Sequence, residues 1–438
     1  MKKLLSNYGM VLVLIALCLL FSLLTMKQEG STGSAAAERL SSEVVSIVAA
    51  DDGVFVVGAA KKDSEGFAEM ATERLEKAGL TKVQKIVGTP RDLRQAWDQA
   101  IDDGAAPKVL VVSGDVIKWT VLPSLQENAP ALRVMMPTEQ LTSDFLKRSN
   151  LLAIVDRIVV IAVIAIGMTL VILTGGIDLS VGSLIALSAV IGTLIMKAMG
   201  GLEGGWWVVW VGFFVATLAC GLIGGLGGFL VAQFRVAPFI TTLAIMMVTR
   251  GAAFMLTGGF SIYQVPETMT WLGQGSTMGI PNTVIVLVVL YSVAHVFMSH
   301  TRFGRYIYAV GGNEEAARLS GVPVKGILIF VYLVGGLCAG FGGCIQASQL
   351  ASGAPNLGMM FELYVIAAVV VGGTSLSGGS GRIVGTLIGA FIISVIQNGM
   401  NLLGFDSYLQ QVVLGAVILF AVLLDKARQR GSGRSAKA

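Results

Sequence analysis

Long apolar runs separated by short polar ones fill most of this chain. A helix that crosses the hydrocarbon core of a bilayer needs about 20 mostly apolar residues. Ten runs meet or approach that length: 8–26, 155–174, 181–199, 206–230, 238–257, 282–299, 326–349, 361–374, 384–402 and 407–424. The eighth is the shortest. One long stretch between the first two runs breaks the rhythm. From residue 42 it alternates strand-like segments (Val44–Ala49, Val54–Gly58, Val83–Val87, Val109–Val112, Leu132–Met136) with helix-like segments at 64–79 and 91–102. In the first of these helices Phe67, Met70, Ala71 and Leu75 fall at helical spacing, with charges opposite. Such alternation predicts an α/β layer on a parallel sheet. The fold class expected is a polytopic α-helical membrane protein of about ten transmembrane helices carrying a small inserted α/β domain. Its parts are a first transmembrane helix (1–27), a flexible linker (28–41), the α/β insert (42–145), a membrane body (150–428) and a disordered tail (429–438).

Charge sharpens this division. The 438 residues are 54% hydrophobic and 13% charged. Residues 27–150 hold 15 Lys/Arg and 18 Asp/Glu, net −3, and the remainder holds 16 and 9, net +7. The excess of positive charge lies in loops, so it carries no nucleic-acid signal. Lys2 and Lys3 place the N-terminus in the cytoplasm. Alternation then places Arg235, the loop with Arg302, Arg305, Arg318 and Lys325, the turn with Arg382, and the basic C-terminus on the same side. Loops 258–281, 350–360 and 403–406 contain no Lys or Arg. Both rules thus agree on an even number of spans, with 28–150 outside. An alternative stays open: Ala35-Ala-Ala37 after the first run also suits a cleaved signal peptide, which leaves nine spans. Cys18, Cys220, Cys338 and Cys344 all sit in apolar runs and behave as small hydrophobes. With two histidines in the chain, a metal site is not expected, nor is a cofactor or a catalytic residue.

The polar stretch Gly311-Gly-Asn-Glu-Glu-Ala-Ala-Arg-Leu-Ser-Gly-Val-Pro323 predicts a short helix with its own caps. Asn313 suits the N-cap, and Glu314 and Glu315 fill the first turn, where the helix dipole favours anions. Arg318 sits in the last turn, Gly321 suits the left-handed closing position, and Pro323 forbids continuation. A helix this short does not hold in water alone. Placed on the cytoplasmic face, it offers a contact to a soluble partner.

Two turns resemble each other: Gly175-Gly-Ile-Asp-Leu-Ser-Val-Gly-Ser183 and Gly372-Gly-Thr-Ser-Leu-Ser-Gly-Gly-Ser380 match at six of nine positions. Transporters often carry internal repeats whose Gly-rich breaks lie near the path. Asp178, Ser180, Ser375 and Ser377 are therefore candidates for a gate. Asp178 and Ser180 have a second reading as caps of the following helix. Arg250 either lines a polar path or reaches the external surface along its own stem. Gly336 with Gly340, the 221–228 run, and Gly381, Gly385 and Gly389 have the spacing of close helix packing, which needs no transport role. Trp206, Trp207 and Trp210 suit an interface.

The segments GMTLVILTGGIDLSVGS (167–183), TRFGRYIYAVGGNEEAARLSGVPV (301–324), VVGGTSLSGGSGRIVGTLIGA (370–390) and NGMNLLG (398–404) resemble the permease subunits of ABC importers for ribose, xylose, galactose and related sugars. The resemblance runs from about 150 to 428. It implies a homodimer or heterodimer of permeases in the inner membrane, two cytoplasmic ATPase subunits, and a periplasmic sugar-binding protein. It also implies that the short helix couples to the ATPase through Gly312, Asn313, Glu314, Glu315, Ala316, Arg318 and Gly321. The chain has no GxxxxGK[ST] segment to cradle a nucleotide, so hydrolysis is expected on the partner.

The insert departs from that family, whose first two spans are joined by a short connection. Arg94–Gly104 followed by Val109–Gly114 resembles one lobe of a periplasmic sugar-binding protein. Three roles stay open for the insert: docking the binding protein, assembly, or ligand binding with a second copy. Two other functions stay open for the chain. One is a secondary transporter, for which Asp178 and Arg250 are the only buried charges on offer. The other is a sensor whose insert reads an external ligand. Tyr263, Gln264, Asn356 and Gln397 are possible substrate contacts or ordinary loop and interface residues.

Overall fold

A computed structural model describes residues 2–29, 33–137 and 140–435. The chain divides into two units, Met26–Ser143 and a second made of Met1–Thr25 with Asp144–Ala438. The first helix, α1 (Lys2–Leu24), belongs to the second unit.

The 26–143 unit opens with β1 (Met26–Glu29) and α2 (Ser34–Val45), then β2 (Val54–Ala59), α3 (Lys62–Lys77), β3 (Val83–Gly88), α4 (Pro90–Asp102), β4 (Val109–Val112), α5 (Val121–Asn128), β5 (Arg133–Met135) and β6 (Gln140–Ser143). Four strands form a sheet in the order β3-β2-β4-β5, parallel throughout. Apolar side chains cover both of its faces. Phe67, Ala71 and Leu75 of α3, with Ala36, Leu40 and Val44 of α2, pack on Val54, Val56 and Val111. Leu93 and Trp97 of α4, with Leu122 and Leu125 of α5, pack on Phe55, Val57, Leu110 and Val112. The central strands are therefore continuous apolar runs, as sheets buried on both faces require. A Thr89–Asp92 capping box and Pro90 start α4,. Strands β1 and β6 pair antiparallel, Met26 opposite Ser143.

Three expectations need correction. Residues 44–49 form no strand: Val44 and Val45 end α2 and a turn follows. The expected linker 28–41 holds the start of that helix, because Ala36, Ala37, Leu40 and Val44 share one buried face (residues 30–32 lie outside the described ones). The valine-rich run at 44–48 signalled β structure locally, and packing against α3 overrides it. At the other end, the chain beyond 424 continues as helix to Ser435, since Lys426-Ala-Arg-Gln-Arg430 contains only good helix formers,. Residues 436–438 of the expected tail lie outside the described residues.

In the other unit, α6 (Arg148–Leu173), α7 (Val181–Ala198), α8 (Trp206–Phe234), α9 (Pro238–Thr257) and α10 (Asn282–His300) precede two short helices, α11 (Arg302–Gly312) and α12 (Glu314–Leu319). A small ribbon, β7 (Ser276–Thr277) and β8 (Ile280–Pro281), precedes α10. The chain closes with α13 (Val324–Leu350), α14 (Phe361–Val371), α15 (Ile383–Leu402) and α16 (Ser407–Ser435). Among the described residues seven helices are long and apolar enough to cross a membrane, namely α6–α10, α13 and α15, and three shorter apolar stretches lie in α1, α14 and α16. Helix α14 has 11 residues, roughly 16 Å of rise, about half a hydrocarbon core,.

Helix α6 is the axis, buried on all sides from Ile158 to Leu173,. The glycine runs read separately in the sequence pack on each other: a Cβ on Gly224 would lie 2.4 Å from the Tyr332 carbonyl, and one on Gly336 would lie 2.3 Å from the Cys220 carbonyl. Gly385 and Gly389 meet Gly372 and Ala368 in the same way. Few buried polar bonds cross between helices: Thr169 Oγ1 to Thr386 Oγ1 (2.8 Å), Ser188 Oγ to the Gly340 carbonyl (2.6 Å) and Tyr291 Oη to the Ala162 carbonyl (2.9 Å) are three. Small residues and sparse polar links are how helices associate in lipid, where no hydrophobic drive separates protein from tails.

Candidate functional site

Helix α12 forms from its caps. Asn313 has extended backbone, and its Oδ1 accepts the Ala316 N–H (2.9 Å). Gly321 (φ +80) donates to the Arg318 carbonyl (3.0 Å) and Val322 to the Ala317 carbonyl (3.0 Å), the paired bonds of a Schellman closure,. Ala317 is buried, and Val322 packs against the same core. Glu314, Glu315, Arg318 and Leu319 are exposed. Glu315 pairs with Arg318 (2.5 Å) and pushes the guanidinium further up. This surface pair contributes little stability. The helix is stiff at both ends and bare on one side.

Helix α11 precedes it, a short helix the apolar pattern missed. Its signal is legible in retrospect: Thr301 at the N-cap accepts the Gly304 N–H (3.2 Å), and Gly304, Ile307 and Val310 are buried at three-residue spacing.

The end of α11 is wedged between the two similar turns. A Cβ on Gly311 would lie 1.7 Å from the Leu173 carbonyl and 2.6 Å from the Gly379 nitrogen. The Gly379 N–H donates to the Leu173 carbonyl (2.9 Å). Tyr308 Oη donates to the Gly381 carbonyl (2.8 Å). Three glycine-containing segments thus meet backbone to backbone: 173–175, 311–312 and 378–379. Gly312 itself is open, and a Cβ there would meet nothing within 4 Å.

In the first turn Asp178 is buried, and its Oδ1 accepts the Ser180 N–H (2.8 Å) and hydroxyl (2.6 Å), just before α7 begins. Its other oxygen finds no donor among the described residues. The Leu179 N–H donates to Thr242 Oγ1 (3.1 Å), and Ser183 Oγ lies 2.7 Å from Thr249 Oγ1, which stitches the turn to α9. In the second turn Ser375 accepts through its hydroxyl from the Ser377 N–H (3.3 Å) and through its carbonyl from the Gly378 N–H (3.1 Å). Arg250 lies elsewhere. Its Nη1 donates to the carbonyls of Pro355 (3.1 Å) and Leu357 (2.7 Å), fixing the segment before α14.

At the other ends of these helices a cavity of about 840 Å³ opens between α6, α13, α14, α15 and the start of α16. Its wall is mixed polar and apolar, with Asp156, Arg157, Gln274, Gln346, Gln349 and Gln397 among the polar residues that line it. Of the possible substrate contacts read from sequence, Gln397 lines it, whereas Tyr263, Gln264 and Asn356 do not; nor do Asp178, Ser180, Arg250, Ser375 or Ser377. Gln397 was a sequence candidate, whereas Gln346 and Gln349 close an apolar run and Gln274 lies in a loop, positions at which an amide carries no signal.

The sequence model of the family described as branched-chain amino acid transport system / permease component matches residues 150–422. The ribose import permease protein of Escherichia coli K12 is 44% identical over 310 residues, covering 69% of this chain and 94% of that protein. Its counterpart from Bacillus subtilis is 42% identical, covering 66% and 88%. An L-arabinose ABC transporter permease protein of Azospirillum brasilense is 37% identical, covering 68% and 86%. No solved structure matches the chain. The family match begins beyond the 26–143 unit, which lies outside it. By the extent of that match and the identity of these relatives, the chain belongs to the permease-component family and, within it, to the sugar permeases of ABC importers.

Proposed function

We propose that this permease carries a monosaccharide, a pentose or a hexose, across a bacterial inner membrane by alternating access, with α12 as the contact for a separate ATPase subunit. The observation that carries the reading is the wedging of Gly311 between the two glycine turns. An exposed, doubly capped helix joined to that wedge transmits displacement, because no side chain lies between the backbones to absorb it. The ATPase favours one state of the permease by touching it differently in each. Gly312, Asn313, Glu314, Glu315, Ala316, Arg318 and Gly321 then form the contact, and Asp178, Ser180, Ser375 and Ser377 belong to the turns that it moves.

In this reading the seven long helices and three shorter apolar ones make ten spans, with both termini in the cytoplasm. The charge map supports it: the segments around α11 and α12 are rich in Arg, and loops 258–281, 350–360 and 403–406 have no Lys or Arg,. A periplasmic binding protein delivers the sugar to that end, and two permeases make the complex. The names of the relatives supply the first substrates to try, ribose and arabinose. The test is co-purification of the ATPase subunit with the chain. The double charge reversal Glu314→Lys with Glu315→Lys is expected to lower both ATPase recovery and uptake about tenfold, the scale of two charged interface contacts. Undiminished recovery and uptake would exclude α12 as the contact.

A further inference from the structure

Asp178 Oδ1 accepts twice from Ser180, whereas Oδ2 has no donor among the described residues. A second buried group is unmet beside it: Tyr332 Oη, on α13, also lacks a partner among the described residues. Both residues are 1% exposed. One atom is an acceptor and the other carries an O–H donor, so each offers what the other lacks. Leaving both bonds unmade is costly at this burial.

Two glycines set the pair side by side. A Cβ on Gly176 would lie 2.4 Å from Tyr332 Oη, and one on Gly335 would lie 3.7 Å from Asp178 Oδ2. Tyr332 and Gly335 stand three residues apart on α13 and so share one face of it,. Methyl groups of Val171 lie beside both glycine positions, at 3.2 and 3.6 Å, so the two oxygens share one apolar surrounding. Asp178 is within Coulombic range of the Tyr332 hydroxyl. The turn itself is bonded to α9, where Thr242 Oγ1 accepts from the Leu179 N–H (3.1 Å) and donates to the Ile177 carbonyl (3.2 Å). Toward α13 it presents Gly176, and α13 presents Gly335, so a small shift between them meets no interlocked side chain,. The start of the same turn, Leu173 to Gly175, is the part wedged against Gly311 and Gly379. A displacement at that wedge enters the chain three residues before Asp178.

We infer that Tyr332 is a positioning residue of the transport cycle: in the state opposite to this one its hydroxyl donates to Asp178 Oδ2, and that bond holds the 175–180 turn against α13. The bond favours the opposite state because it is made only there, which is what a two-state element requires. The inference rests on the transport reading and adds to it the contact that receives the motion of the wedge.

The test compares Tyr332→Phe, Asp178→Ala and the double variant in the full complex, with its ATPase and binding protein, reading D-ribose uptake and ATP hydrolysis per chain. Tyr332→Phe keeps the ring and is expected to slow uptake about tenfold, the scale of one hydrogen bond to a carboxylate. On top of Asp178→Ala it is expected to add nothing, because both changes delete the same bond. A further loss of about tenfold in the double variant means independent roles and overturns the inference. Thermal unfolding of the Tyr332→Phe chain in detergent is expected to match wild type, since the hydroxyl has no partner in this state. A lowered unfolding temperature marks a structural role and overturns the inference. If Asp178→Ala fails to accumulate, Tyr332→Phe decides alone: slowed uptake at unchanged unfolding temperature supports the bond, and wild-type uptake overturns it. A wild-type complex that hydrolyses ATP but takes up neither D-ribose nor L-arabinose overturns the sugar reading instead, and the same variants are then compared on hydrolysis.

Discussion

The 26–143 unit and the membrane body solve packing in opposite ways. In the former, one parallel sheet is covered on both faces by large side chains: Trp97, Phe67, Leu75, Leu93 and Leu125 are all essentially inaccessible. In the latter the tightest approaches between helices have no side chain at all, as at Gly224, Gly336, Gly343 and Gly389. The difference follows from the solvent. Water drives large apolar groups together, at about 25 cal/mol per Å². Lipid supplies no such drive, so backbones must come close enough for dispersion to hold them. Glycine surfaces slide with little interlocking, whereas interdigitated Trp and Leu resist displacement.

The contrast breaks first, and with the largest effect, at Gly311. Gly311→Val puts a branched side chain where even a Cβ would lie 1.7 Å from the Leu173 carbonyl. Uptake is expected to fall below detection, with loss of folded chain from the membrane. Gly326→Ala, where a Cβ meets nothing within 4 Å, is expected to change stability by less than about 0.5 kcal/mol, by thermal unfolding in detergent,. Equal effects at the two positions would remove glycine contact as the organising principle of the body.

Next comes the 26–143 unit. Trp97 is 1% exposed and meets Phe55 edge on at 6.5 Å. Trp97→Ala is expected to cost about 3–5 kcal/mol, a cavity-sized loss. Limited proteolysis of the full chain checks it: cleavage within 26–143 rises while the spans stay protected. Concerted cleavage of both would mean one cooperative unit instead of two.

The smallest expected effect is on acid sensitivity, which separates the units by charge. The hydrogen bond from Ser64 Oγ (2.8 Å), and then Lys61, holds the Asp115 carboxyl below the usual carboxylate range. Its folded pKa is depressed. The stability it adds is therefore present above about pH 3.9, the unfolded value, and is lost as pH falls through the folded one. Asp115→Asn is expected to flatten the loss of the 26–143 unit below about pH 4, followed by proteolysis across a pH series.

Much of this was legible in single residues. The caps Asn313 and Gly321 mark α12 to within a residue, because capping chemistry is local. The strand at 44–49 was misread for the same reason in reverse: β-branched residues signalled locally, and the buried face of α2 was decided by contact with α3. Arg250 stood open between a path and a surface. Its partners, the carbonyls of Pro355 and Leu357, are about a hundred residues away and carry no side-chain signature.

By itself, the sequence determined where the apolar runs lie, which loops carry charge, the caps of α12 and the absence of a nucleotide loop, since each depends on residues close in the chain. Only the tertiary structure decided that Gly311 meets Leu173 and Gly379, that Gly221 and Gly224 face Gly336, and that scattered glutamines line one cavity. Glycine and glutamine advertise no partner, and the meeting of distant backbones is fixed by how the helices pack.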